Sequence, residues 1–164
     1  MERRSFMKLV FGGLGLLAAS PLLKTGRAIA ASAVKKLTFS NAEWKKKLTL
    51  AQYNILREEG TEPSFTSELL HEKRKGIFAC IACDLPLFPS DFKYDSGTGW
   101  PSFFDNIAGN VETSTDYKLL YPRTEYHCAR CGGHHGHVFD DGPKPTGLRY
   151  CNNGIALTFI PSES

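Results

Sequence analysis

The sequence lacks several features that would assign it to a special class of protein. Its 164 residues contain no internal repeat and no low-complexity tract. A strong charge is also lacking, because the formal net charge of +3 includes +4 from residues 1–30, and subtracting that segment leaves −1. The remaining chain therefore offers no basic surface of the kind that binds nucleic acid. We expect one domain with its own core, and a monomer.

A long apolar run is missing too. The apolar run at residues 9–19 is short, rich in glycine and followed by Pro21, so a cleaved signal is favoured over an uncleaved membrane anchor. A basic start precedes this run, and small residues suitable for cleavage follow it at residues 28–30 or 31–33.

The segment Arg3-Arg4-Ser5-Phe6-Met7-Lys8 resembles the twin-arginine export motif. We therefore expect residues 1–33 to be an export signal read by the twin-arginine export machinery. Residues 34–39 would be a linker and residues 40–164 the folded domain. The predicted location is the periplasm or another extracytoplasmic compartment.

Cysteine is scarce, and the count of five is odd. Cys80 with Cys83, and Cys128 with Cys131, form two C-x-x-C pairs, which is a strong signal for a four-thiolate zinc site. Because 44 residues separate the pairs, the ion would join two distant hairpins. Four thiolates leave no open position, so the zinc would be structural. Two disulfides or one redox-active pair is the alternative in an exported protein.

Short helices are predicted near the start of the domain. Ser40 and Thr49 each precede a Glu or Gln by three residues, which is the capping-box pattern. Helices should span residues 41–47 and 50–59, with Gly60 ending the second. Their predicted buried residues are Trp44, Leu48, Tyr53 and Leu56.

The rest of the chain favours short strands, because glycine and proline are scattered through it. Strands should lead into each C-x-x-C turn. The other predicted strands are residues 111–120, 148–153 and 155–160, the last two joined near Gly154. Trp100 stands between glycine and proline and should lie on a loop, either closing the edge of the core or forming an aromatic wall for an apolar ligand group.

Chemistry is concentrated in the last forty residues. Three of the five histidines lie within residues 134–137. A second metal site is conceivable, but adjacent histidines on a strand point to opposite faces, and nearby carboxylates favour acid–base chemistry instead. Cys151 is the unpaired thiol, and Arg149 lies two residues before it on the same strand face. Cys151 is therefore a candidate nucleophile.

Together these residues closely resemble the B-type methionine sulfoxide reductases, over about residues 40–161. The resemblance implies a mainly β fold with two antiparallel sheets, short N-terminal helices and a structural zinc site of four cysteines. It also implies reduction of methionine-R-sulfoxide in oxidised proteins. The matching motifs are Gly99-Trp100-Pro101-Ser102-Phe103, His134 with Gly136-His137-Val138-Phe139, Asp141-Gly142-Pro143, Gly147-Leu148-Arg149-Tyr150-Cys151 with Asn153, and both C-x-x-C pairs.

The resemblance also implies roles for the site residues. The Cys151 thiolate would attack the sulfoxide sulfur and become a sulfenic acid, while His134 or His137 protonates the departing oxygen. Trp100 would pack against the methyl group of the substrate. The other implied site residues are Arg149, which stabilises the thiolate, Asp141, which orients a histidine or Arg149, Asn153, which shares the face of Cys151, and Phe103, which binds substrate.

Two positions depart from the family pattern. Thr98 stands where many members carry a resolving cysteine, so recycling should depend on an external thiol from a thioredoxin-like partner or a small molecule. His135 stands where an apolar residue is frequent, and we interpret it as surface variation. The main rival hypotheses are a zinc-ribbon binding module and a zinc-thiolate redox switch, neither of which needs Cys151.

Overall fold

The computed structural model describes residues 34–163. The predicted export signal and its cleavage sites lie outside the described residues. Within residues 34–163, no helix has the length and apolar character needed to cross a membrane.

Two short helices open the domain, as the capping pattern predicts. They are α1 (Asn41–Lys47) and α2 (Leu50–Glu58), and both begin with a complete capping box. The predicted buried positions are confirmed, since Trp44, Leu48, Tyr53 and Leu56 are all buried. The end of α2 differs from the prediction. The helix ends at Glu58, and Glu59, with φ of 54°, is its left-handed cap, one residue before the predicted Gly60.

Within residues 34–163, nine strands form two antiparallel sheets, so the predicted fold class is confirmed. The smaller sheet has the order β2-β1-β9, and the larger has the order β3-β4-β8-β7-β6-β5. The strands are β1 (Gly76–Cys80), β2 (Pro86–Pro89), β3 (Lys93–Tyr94), β4 (Ser102–Phe103), β5 (Val111–Asp116), β6 (Arg123–Cys128), β7 (His134–Phe139), β8 (Arg149–Asn152) and β9 (Leu157–Pro161). Short 3₁₀ turns span Glu68–His71, Ser90–Phe92 and Gly154–Ala156.

Aromatic rings from both sheets meet in the core. Phe88 of the smaller sheet stacks on Phe103 of the larger one with ring centroids 4.3 Å apart, and Phe78 meets the same ring edge-on at 5.0 Å. Tyr126 and Tyr150 pack around this group. Burial of such large rings is the main apolar contribution to the stability of the domain.

The strands β8 and β9 do not pair with each other, although they are close in sequence. The turn Gly154–Ala156 separates them and sends β9 into the smaller sheet. A buried carboxylate holds this turn: Glu62, 3% exposed, accepts hydrogen bonds from the backbone N–H groups of Gly154 at 2.5 Å and Ile155 at 3.0 Å. A distant loop therefore decides where β8 ends.

We expect Glu62→Gln to destabilise the domain. Glutamine would replace one of the two accepting oxygens by an NH2 group, so one of the two backbone N–H groups would lose its acceptor, and a buried unsatisfied group costs about 1–3 kcal/mol. Urea denaturation of the variant should show that loss. The matched control is Glu68→Gln, because Glu68 is exposed on the neighbouring turn and its substitution should leave the free energy of unfolding nearly unchanged. Equal losses in both variants would contradict the role assigned to Glu62.

Candidate active site and metal centre

The four paired cysteines converge at one point between the two sheets. The Sγ atoms of Cys80 and Cys131 are 3.6 Å apart, and those of Cys83 and Cys128 are 3.4 Å apart. All four sulfurs lie within 4.8 Å of one another. A zinc ion with Zn–S bonds of about 2.3 Å places its sulfurs about 3.8 Å apart in a tetrahedron. The four thiols therefore fit a zinc ion, and none of the four is in a disulfide.

The two C-x-x-C turns have the same backbone geometry. In each turn the first cysteine donates its N–H to the carbonyl five residues later, Cys80 to Leu85 and Cys128 to Gly133. Each first cysteine also accepts the N–H of the residue four positions on, and that residue is left-handed in both turns: Asp84 with φ of 57° and Gly132 with φ of 66°. Two equivalent turns thus present two sulfurs each to one ion.

A cleft of about 140 Å³ lies on the other face of the larger sheet from the aromatic core. Four of the predicted site residues meet there, namely Trp100, His137, Cys151 and Asn153. The complete lining is Thr61, Trp100, Arg123, Gly136, His137, Phe139, Cys151, Asn152 and Asn153.

Cys151 occupies the middle of this face. Its strand β8 is central in the larger sheet, so Cys151 pairs with His137 of β7 on one side and Ser102 of β4 on the other. Directly opposed residues of antiparallel strands share a face, which brings the thiol beside the imidazole. The neighbouring position must be glycine, because a Cβ at Gly136 would overlap the carbonyl oxygen of Cys151.

Several groups act on the ionisation of Cys151. Burial raises the pKa of its thiol, while the positive charge of Arg149 and hydrogen bonds from Thr98 and Arg149 act in the opposite direction. The effect of burial is the largest, so the thiol pKa lies above its usual value. Arg149 is held in place by Asp141, with contacts of 2.7 and 2.8 Å, and its guanidinium lies 4.3 Å from the centre of the Phe139 ring.

His137 has a carboxylate partner that the sequence reasoning missed. Its Nε2 lies 2.9 Å from Oδ2 of Asp116, the last residue of β5. Asp116 is buried, and hydrogen bonds from the Lys118 N–H and from His137 lower the pKa of its carboxyl group. Arg123 also contacts Asp116. Asp141, by contrast, binds Arg149 and not a histidine.

A β-bulge explains the arrangement of the three histidines. Tyr126 and His127 of β6 pair with Gly136 and His134 of β7, so His135 is the extra residue. His134 and His137 are three residues apart and would face opposite ways in a regular strand, yet their rings lie 5.5 Å apart. The bulge therefore brings both onto the face of Cys151.

The predicted surface position of His135 is wrong. His135 is fully buried and its ring stacks on Tyr126, with centroids 6.3 Å apart. Burial lowers its pKa to about 4, so the ring is neutral in the core. Because the bulge turns this residue inwards, position 135 belongs to the core and not to the surface.

His134 and Phe103 lie outside the cleft. His134 is 1% exposed, and its ring lies beneath that of His137 with centroids 5.5 Å apart. Burial is the main cause that lowers the pKa of His134 to about 3, and the nearby His137 and His127 act in the same direction. Phe103 is fully buried between the two sheets, because the face of β4 opposite to Ser102 points into the core. The aromatic ring that does line the cleft next to Trp100 and His137 is Phe139.

Glu62 is a second residue that the sequence reasoning missed. Its carbonyl accepts the indole N–H of Trp100 at 3.0 Å, and its own N–H donates to Oδ1 of Asn153 at 2.9 Å. Asn153 in turn donates to the carbonyl of His135 at 3.0 Å. Trp100 is thus fixed on its loop by a segment almost forty residues earlier. Nothing in the local sequence around Glu62 signals this contact.

Loss of one cluster thiol should remove the metal. In Cys80→Ser we expect less than one zinc per chain, and a melting temperature at least about 10 °C lower, since each kcal/mol shifts it by about 4 °C in a domain of this size. Metal analysis and thermal denaturation measure the two effects. Cys151→Ser is the matched control and should keep one zinc. Full zinc content in Cys80→Ser would contradict the assignment.

Comparison with known proteins agrees with this geometry. The SelR domain family model matches residues 48–161. Peptide methionine sulfoxide reductase B1 of Arabidopsis thaliana, a chloroplastic protein, is 53% identical over 121 residues, which cover 73% of this chain and 60% of that protein. Peptide methionine sulfoxide reductase MsrB of Agrobacterium fabrum is 52% identical over 127 residues, which cover 77% of this chain and 94% of that protein.

A mammalian relative shows the same pattern. The mitochondrial methionine-R-sulfoxide reductase B3 of Mus musculus is 47% identical over 130 residues, which cover 79% of this chain and 51% of that protein. The chain thus spans between half and two thirds of the plant and mouse relatives and nearly all of the bacterial one. From the family match and these identities, the chain belongs to the SelR domain family, the B-type methionine sulfoxide reductases.

Proposed function

We propose that this protein reduces methionine-R-sulfoxide in oxidised proteins to methionine, with Cys151 as the nucleophile. The observation that carries the proposal is the meeting of Cys151, His137 and Trp100 in one cleft of about 140 Å³. A thiol, a proton donor and an aromatic wall are the groups that sulfoxide reduction needs. The names of the relatives in plant, mouse and bacterium support the same reaction.

The first step is attack of the Cys151 thiolate on the sulfoxide sulfur. A bond forms between the two sulfurs, and the sulfoxide oxygen takes up a proton. The oxygen then passes to Cys151, the S–S bond breaks, and methionine leaves while Cys151 becomes a sulfenic acid. Because burial keeps the thiol pKa high, the positive charge of Arg149 is needed to form the thiolate.

His137 is the proton donor that the cleft supports best. It is paired directly with Cys151 across β7 and β8, and it lines the cleft, whereas His134 lies behind it. The ionised Asp116 carboxylate fixes the ring through Nε2 and balances a positive charge on the imidazole. We assign His134 a positioning role next to His137.

Apolar surface near the cleft supports a protein-bound substrate over the free amino acid. The loop between β5 and β6 exposes four large apolar side chains, and of its flanking residues Arg123 lines the cleft and Asp116 contacts His137. Unfolded, oxidised polypeptides expose apolar residues that can pack on such a loop. The four side chains are Tyr117, Leu119, Leu120 and Tyr121, all of which are exposed.

An external thiol restores Cys151 in this proposal. The other four cysteines belong to the candidate zinc cluster, and Thr98 is the hydroxyl residue that contacts the Cys151 thiol. A thiol from a thioredoxin-like protein or a small molecule therefore attacks the sulfenic acid, forming a mixed disulfide and releasing water. A second thiol then breaks that disulfide and returns Cys151 to the reduced form.

The site of action in this proposal is the periplasm or another extracytoplasmic compartment. The support is the N-terminal sequence alone, with its twin arginines, apolar run and small residues. Export through the twin-arginine machinery would carry the domain across the membrane already folded, with zinc in the four-cysteine cluster before its thiols meet oxidants.

Replacing Cys151 should remove turnover without disturbing the fold. In Cys151→Ser we expect the rate with a methionine-R-sulfoxide peptide and dithiothreitol to fall by more than about 10³-fold, as for the loss of other nucleophiles. Zinc content and the melting temperature should stay at the wild-type level. In a binding module or a zinc-thiolate switch, the substitution of Cys151 would leave the function unchanged. Conversion of only the S epimer by the wild type would contradict the proposal.

Introducing a thiol next to Cys151 should create an internal route for recycling. With one equivalent of substrate and no reductant, wild-type Cys151 should stop at the sulfenic acid and react with dimedone. In Thr98→Cys, which places a thiol where the Thr98 hydroxyl contacts Cys151, the oxidised protein should form an internal disulfide detected by mass spectrometry. Thr115→Cys, on an exposed position of β5, is the control and should behave like the wild type. An internal disulfide at Cys151 in the wild type would contradict the external-thiol route.

A further inference from the structure

A second group of ligand-type side chains lies on the sheet face that carries Cys151. Glu125 and His127 of β6 and His134 of β7 place a carboxylate oxygen and two ring nitrogens within 4.8 Å of one another. Oε1 of Glu125 is 3.4 Å from Nε2 of His127, and Oε2 is 3.2 Å from Nδ1 of His134. The group is separate from the four cysteines and shares no atom with them.

These short distances are not hydrogen bonds. The Glu125 and His134 atoms are close but not aligned, and neither ring nitrogen of His134 has a hydrogen-bond partner among the residues that the structure describes, although the side chain is 1% exposed. Buried polar atoms are nearly always paired, and an unpaired one costs free energy. Nδ1 of His134 and the Glu125 carboxylate thus lie close together without a hydrogen bond between them, and a cation bound by both would give the buried imidazole a partner.

The donor set indicates the class of cation. Two imidazoles and one carboxylate suit first-row transition ions, whereas Mg²⁺ and Ca²⁺ prefer oxygen ligands. With metal–ligand bonds of about 2.0–2.2 Å, neighbouring donors stand about 2.9–3.6 Å apart, so the distances of 3.2 and 3.4 Å fit such a site. Ser114 donates to Oε1 of Glu125 at 2.9 Å and orients the carboxylate.

We propose that Glu125, His127 and His134 form a second metal site for a divalent first-row transition ion. The ion enters beside His127, whose side chain is 18% exposed, and water or a further ligand completes its coordination. An ion at this site fixes the ring of His134, whose centroid lies 5.5 Å from that of His137. The metal site does not depend on the proposed reductase activity, because its three ligands lie outside the cleft and their contacts do not involve Cys151.

The test is a titration of the full chain, with zinc in the four-cysteine cluster, by Co²⁺ in the Cys151→Ser background. We expect one further Co²⁺ per chain, with the weak visible bands of nitrogen and oxygen ligands and no sulfur-to-cobalt charge-transfer band. Mg²⁺ at the same concentration should not compete. A charge-transfer band from sulfur, competition by Mg²⁺, or the lack of a further equivalent of Co²⁺ would each overturn the proposal.

Matched variants identify the ligands. Glu125→Gln and His127→Gln should each weaken Co²⁺ binding by at least about tenfold, because even the outer partners of metal ligands contribute 10–100-fold to affinity. The controls are Glu112→Gln, the exposed neighbour of His127 across β5 and β6, and His71→Gln, an exposed histidine elsewhere. Both controls should bind like the parent. Unchanged affinity in the first pair, or equal loss in the controls, would overturn the proposal, provided that zinc content confirms folding.

Discussion

The four-cysteine cluster is the constraint on which the rest of the structure depends. It joins the turn after β1 in the smaller sheet to the turn after β6 in the larger one, two elements that are far apart in sequence. Strand β7 starts only three residues after Cys131, and it carries His134 and His137. An ion held by these four thiols would therefore fix where β7 begins and, through pairing with β8, where the imidazoles stand relative to Cys151.

Two buried carboxylates position the remaining side chains of the cleft. Glu62 contacts the backbone of the turn after β8, Trp100 and Asn153, so one residue positions the aromatic wall and the end of the nucleophile strand. Asp116 does the same for His137 from the end of β5. Both charges are buried and fully hydrogen-bonded, which is the condition under which burial of a carboxylate is tolerated. The cleft is thus assembled from segments spread over ninety residues.

Local sequence patterns predicted the parts of the fold that local forces determine. The capping boxes at Ser40 and Thr49 located both helices, and the strands predicted to lead into each C-x-x-C turn are β1 and β6. The patterns failed where contacts between residues distant in sequence determine the conformation. Gly60 was expected to end α2, yet Glu59 took the left-handed position, and His135 was expected at the surface, yet a bulge turned it into the core.

The sequence by itself determined the kind of chemistry and the side chains that carry it. These are one unpaired thiol near an arginine, a cluster of histidines, a loop tryptophan and two C-x-x-C pairs. Tertiary structure alone decided which of these groups meet. Phe103 faces the core, and His134 lies behind His137. Phe139, Glu62 and Asp116 belong to the site, although no sequence pattern predicted them. The reason is physical, since the face that a strand residue occupies depends on register and bulges, and these are set by pairing between strands that are distant in the chain.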